Sequence, residues 1–124
     1  MNKKQLAVLL LRILLGLTMA LHGLQKVLGI AGTVTFFDSL GLPAFLPYFV
    51  ATIELVGGIF MMIGLLVPLV SLGFVAVLVG AILTLKIGSN FVGGYELELL
   101  LIIMSVSVAL LHTKTKRLFF KPNV

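Results

Sequence analysis

Four apolar stretches, each long enough to cross a lipid bilayer, fill almost the whole of this 124-residue chain. They cover residues of about 5–28, 44–66, 69–87 and 95–112. A bilayer core about 30 Å thick needs roughly 20 apolar residues per helix, so four spans fit and no soluble domain fits beside them. With 60% hydrophobic and 10% charged residues, a water-soluble domain of this size could not hide its apolar surface. The expected fold class is therefore all-α: an integral-membrane four-helix bundle forming one domain over residues 1–124.

The loops and ends fix an expected topology. Lys3, Lys4, Lys114, Lys116, Arg117 and Lys121 flank the bundle at its two ends, whereas the loops on the other side carry only Lys26 and Lys86 at their edges. Cytoplasmic loops are enriched in Lys and Arg, which sets both the N and C termini in the cytoplasm. An even number of spans requires the same. The +5 net charge is thereby explained by topology, and nucleic acid is not an expected partner; the lipid bilayer is.

The basic start of the chain resembles a signal peptide, but Arg12 interrupts the apolar run and three spans follow, so a retained first span is expected. In the longest connection, Phe36, Phe37 and Leu40 share a helical face, which predicts a short interfacial helix between spans one and two. Gly41 would end it. Pro43 starts the next element, Pro47 falls in the first turn of span two, and Pro68 marks a tight turn. Gly16 and Gly23, Gly57 and Gly64, and Gly73 and Gly80 are spaced by seven, so each pair lies on one face and is expected to bring helices close.

Ionisable residues inside spans are costly and need partners. Arg12, Met19, His22, Gly23 and Lys26 make one stripe on span one, expected to face other helices. Arg12 lies two turns from the inner end, near enough to snorkel. Glu54 lies near the midplane, where a lone carboxylate must be protonated or paired. Glu98 shares a face with Ser105 and His112 and is expected to look inward, with Glu96 turned toward headgroups. The outer half thus collects His22, Gln25, Lys26, Glu54, Lys86, Asn90, Tyr95 and Glu98, which suggests a polar pocket with Met19, Met61 and Met62 as adaptable walls.

Such a pocket suits an amphipathic ring compound, and quinones are the obvious class. His22 and Glu54 would contact or protonate the ligand, as catalytic candidates, while Arg12, Gln25, Lys26, Lys86, Tyr95 and Glu98 are ligand-binding candidates. No haem is expected: His22 and His112 lie at different depths and cannot bracket one haem, which leaves a His/Met pair as the alternative ligation. Nothing in the spacing of His22, Glu54 and Glu98 singles out a metal site. The absence of cysteine excludes thiolate catalysis within the chain.

Several motifs resemble the DoxX family. They are Leu11-Arg12 through Gly16, His22-Gly23-Leu24-Gln25-Lys26, Gly41-Leu42-Pro43, Glu54-Leu55-Val56-Gly57-Gly58 with Gly64-Leu65, and Tyr95-Glu96-Leu97-Glu98. The similarity runs from about residue 11 to residue 111. The chain departs from the family pattern at His112-Thr113-Lys114-Thr115-Lys116-Arg117, where many relatives carry a Gly-x-Gly-Arg-Tyr-Ser-like motif. The resemblance implies a four-helix protein of the bacterial inner (plasma) membrane associated with redox chemistry. Some relatives are subunits of thiosulfate:quinone oxidoreductase; others are membrane partners of a sulfurtransferase and superoxide dismutase, or are linked to catechol and quinone resistance. Arg12, His22, Lys26, Glu54 and Glu98 are the matching polar positions. Three readings follow: a quinone-linked oxidoreductase or its subunit, a non-catalytic membrane anchor or assembly partner of a soluble oxidoreductase or sulfurtransferase, and a small-molecule transporter, for which four spans suffice in a homo-oligomer.

Overall fold

The computed structural model describes residues 1–86 and 88–111. Its elements are α1 (Lys3–Leu28), α2 (Ile30–Ser39), α3 (Leu46–Ile63), α4 (Val67–Ala81) and α5 (Glu96–Leu111). A widened helical turn, Ile82–Lys86, extends α4, and an irregular turn, Phe91–Tyr95, leads into α5. Among the described residues, four stretches are long and apolar enough to cross a membrane: Lys3–Leu28, Leu46–Ile63, Val67–Lys86 and Phe91–Leu111. The end of the fourth expected span at His112, and the basic residues beyond it, lie outside the described residues.

Local sequence explains the helix limits. The Asn2 side chain accepts from the Gln5 N–H at 2.8 Å, and the Gln5 side chain accepts from the Asn2 N–H at 3.1 Å, a reciprocal cap that opens α1. Gly41 closes α2 at φ +75°, with the Leu42 N–H returning to the Phe37 carbonyl. Pro47 occupies the first turn of α3, where its missing N–H costs little. Gly64 at φ +83° ends α3, and Pro68 sits in the first turn of α4, so three residues reverse the chain. The α3–α4 turn therefore lies at one end of the bundle and α2 at the other.

Packing is tightest between α1 and α3. A Cβ on Gly16 would lie 2.5 Å from the Gly58 carbonyl oxygen, and a Cβ on Gly58 would lie 2.5 Å from the Ala20 nitrogen. A Cβ on Gly23 would sit 2.9 Å from the Glu54 carbonyl carbon. These glycines let two backbones approach as small residues do in lipid, where dispersion rather than the hydrophobic effect holds helices together. The other spaced pairs behave differently. Gly64 is a helix stop, and Gly80 meets nothing within 4 Å. The partner that sequence spacing did not reveal is Gly58.

The core runs through Leu15, Met19, Met61, Val67, Phe74, Leu78, Leu101 and Val108, drawing on α1, α3, α4 and α5. Met19 and Met61 are thus core residues and not walls of a pocket. Leu10, Leu14, Leu17 and Leu21 form an exposed stripe on α1, and Leu100, Ile103 and Leu110 do the same on α5. In water such faces would drive association; in a bilayer they meet lipid.

Candidate functional site

Two polar centres arise from the spans, one toward each end. Toward the α3–α4 turn, Arg12 is completely buried, 0% exposed, so it does not snorkel. Its guanidinium lies 3.5 Å from the carbonyl of Met62, in the last turn of α3. Carbonyls in that turn lack helical partners and carry the negative end of the helix dipole, which favours a cation. Arg12 therefore ties α1 to the end of α3 and takes no part in the second centre.

The second centre lies at the α2 end. A cavity of about 650 Å³ separates α3 from α4 there, with the end of α1, α2 and the start of α5 completing its walls. The short α3–α4 turn holds the two helices together at the far end, where Gly57 packs on Phe74, and the cavity opens beyond that contact. Its walls are largely apolar: Leu46, Phe49, Val50 and Ile53 from α3, and Ala76, Val77 and Ala81 from α4. Phe36, Phe37 and Leu40 of α2 line it as well, so the face that sequence reading assigned to the interface also covers a cavity.

Three ionisable residues line this volume: Lys26, Glu54 and Glu98. Lys26 Nζ donates to Glu54 Oε1 at 2.9 Å, an ion pair that crosses from α1 to α3. The Glu54 side chain is only 5% exposed, whereas that of Lys26 is 28% exposed. The Gly23 contact explains how this pair forms, because α1 rides directly over the backbone of Glu54. On the opposite wall, Glu98 Oε1 pairs with Lys86 Nζ at 2.6 Å, and Lys86 also donates to the Gly94 carbonyl at 3.0 Å. Glu98 Oε2 is buried without a hydrogen-bond partner among the described residues. Thr33 and Thr84, which also line the cavity, donate their hydroxyls to the carbonyls of Gly29 and Gly80. Their oxygens keep acceptor capacity toward the cavity side.

The remaining candidates fall outside the lining. His22 Nδ1 lies 2.8 Å from the Thr18 carbonyl, so this nitrogen carries the proton and Nε2 is the ring atom left for other partners. His22 is half-buried, one turn before Lys26. Gln25 is exposed. Tyr95 is half-buried and packs edge-on against Phe91, with ring centroids 5.5 Å apart. Glu96 accepts from the Gly93 N–H at 3.0 Å and so caps the start of α5, leaving Glu98 as the inward carboxylate. Among the described residues, no three His, Asp or Glu side chains converge as a metal site requires.

The cavity can hold a molecule with an apolar body, offer it an ammonium donor, and present carboxylates as hydrogen-bond acceptors or proton carriers. Fold and site together define a multi-pass membrane protein with a ligand-sized, polar-ended cavity between its helices. The sequence profile of the DoxX family matches residues 7–87, and the chain belongs to that family. It is 42% identical, over 111 residues, to a Bacillus subtilis (strain 168) protein named "Putative oxidoreductase CatD", an alignment covering 89% of this chain and 83% of that protein. No solved structure matches the chain.

Proposed function

We propose that this chain binds a quinone-like ring compound in the bacterial inner (plasma) membrane and serves as the membrane subunit of a quinone-linked oxidoreductase. The observation that carries the reading is the apolar cavity of about 650 Å³ with the Lys26–Glu54 pair and Glu98 in its lining. The volume lies within the range of roughly 300–1,000 Å³ common to small-molecule sites. A quinone's apolar ring suits the aromatic and aliphatic walls. One carbonyl oxygen would accept from Lys26, and the hydroxyl formed on reduction would donate to a carboxylate. Reduction to the hydroquinone takes two electrons and two protons. Glu54 and Glu98 would pass the protons; with no thiol in the chain, a soluble oxidoreductase partner would supply the two electrons from its own reduced substrate. The name of the Bacillus relative agrees with a redox role. The basic residues near both chain ends favour cytoplasmic termini, which turns the α2 end and its cavity outward.

The test uses purified protein in nanodiscs and duroquinone, whose fully substituted ring does not add to lysine. Binding is read from the fluorescence of Tyr48 and Tyr95, in a chain with no tryptophan. Saturable quenching is expected, with Kd raised about tenfold or more in Glu54→Gln and in Glu98→Gln, a loss of about 1.4 kcal/mol each. His22→Ala, outside the lining, is expected to change Kd less than either. Absence of binding, or an unchanged Kd in both carboxylate variants, would overturn the assignment.

A further inference from the structure

Two glycines face the cavity for no reason of packing. Gly80 lies in α4 and Gly32 in α2, on different walls, and both line the cavity. A Cβ built on either meets nothing within 4 Å. This separates them from Gly16, Gly23 and Gly58, whose missing side chains admit a neighbouring backbone. Neither adopts a left-handed backbone, so conformation does not require glycine there either. Glycine inside a helix carries an entropic cost relative to alanine, and at these two positions no contact within the fold offsets it. What both share is the empty space in front of them. Ala76 and Ala81 continue the same low wall on α4.

We propose that Gly32 and Gly80 are specificity-determining residues, which hold the cavity wide enough for a fused-ring ligand. The proposal rests on the quinone reading above and adds the size of the ring. A single six-membered ring held at Lys26 and Glu54 stops short of the walls beyond it, and an apolar wall that meets no ligand atom forfeits dispersion contacts. A planar fused system fills the width that the two glycines leave and lies against Phe36 and Phe49, which face the same volume. Selection is then by shape: a side chain at either glycine occupies the outer ring's place and leaves the charged end untouched.

The experiment compares duroquinone, a single ring, with anthraquinone, a fused one, in nanodiscs holding the intact protein, Gly80→Leu or Gly32→Leu. Because the new Cβ enters open space, both variants are expected to fold, with melting temperatures at or above that of the unsubstituted protein. Anthraquinone affinity is expected to fall about tenfold or more in each variant, while duroquinone affinity stays within about twofold. Equal losses for both ligands, or no loss for either, would overturn the size assignment and leave the quinone reading standing. Failure of the unsubstituted protein to bind either compound would overturn both.

Discussion

Replacing Lys26 by methionine tests the pair on which the site is built. The two charged atoms are 2.9 Å apart. At that distance their attraction is about 1.4 kcal/mol in bulk water and about 6 kcal/mol at the effective dielectric of about 20 that suits protein sites. The partners are unequally buried: Glu54 is 5% exposed and Lys26 28%. Loss of Lys26 strands a carboxylate that is almost wholly withdrawn from water, whereas loss of Glu54 leaves an ammonium that can still reach the headgroup region along its stem. Lys26→Met is accordingly expected to destabilise the fold by about 3 kcal/mol and Glu54→Leu by about half as much. The double variant should cost no more than Glu54→Leu alone, since nothing charged remains to be stranded. That cycle gives a coupling of about 3 kcal/mol. The assay is reversible unfolding in mixed detergent micelles, with helix content followed by circular dichroism. A coupling below about 1 kcal/mol, the range of solvated surface pairs, would refute the reasoning and with it a dry, preformed charged end to the cavity.

Two further contrasts use the same assay. Gly58→Ala places a methyl 2.5 Å from the Gly16 carbonyl oxygen and should destabilise by about 2 kcal/mol, whereas Gly80→Ala meets nothing and should stabilise by up to about 1 kcal/mol. Equal effects at the two glycines would argue against the close α1–α3 contact. At Arg12, methionine keeps most of the buried volume and removes the cation beside the last turn of α3; a cost of about 1–2 kcal/mol is expected. Arg12→Ala adds an unfilled space and should cost about 2 kcal/mol more. If the two Arg12 variants are equally stable, the side chain does not fill the core.

Much of the fold was legible because lipid leaves few alternatives. Backbone groups in a bilayer must be satisfied within the helix, so apolar length translates directly into spans, and the punctuation at Gly41, Pro47 and Pro68 fell where the helix ends do. The inward turn of Glu98 was legible from its phase with Ser105, which is fully buried. Pairing across helices was less so. Periodicity places Lys26 and Glu54 on faces of their own helices, but which faces meet depends on how closely α1 can ride on α3, and that is decided by Gly16, Gly23 and Gly58 together with Ala20. A seven-residue spacing finds the first two and misses the third. It also counts Gly64 and Gly80, whose roles are a stop and an open wall.

The polar residues of the outer half pointed to a pocket, but its walls and volume had no sequence signal, because a cavity is a property of the gap between elements. Three facts combine to make it. The turn after Gly64 pins α3 to α4 at one end, Gly57 seats Phe74 just beyond it, and the α2 segment folds back over the opposite end with Phe36, Phe37 and Leu40. Each fact is local and readable, but the volume is their difference, and no residue encodes it. This is also why polarity alone does not say which residues border the cavity. His22, Gln25, Lys86 and Tyr95 share a depth with Lys26, Glu54 and Glu98, yet only the last three border the empty space. Depth in a membrane helix follows from residue number at about 1.5 Å per position; direction follows from packing, and packing here is set by residues with no side chain to announce it. The same reasoning separates the two buried polar centres. Arg12 meets a helix end and closes the bundle, whereas Glu54 meets a lysine beside a cavity, and only that arrangement leaves charge within reach of a ligand.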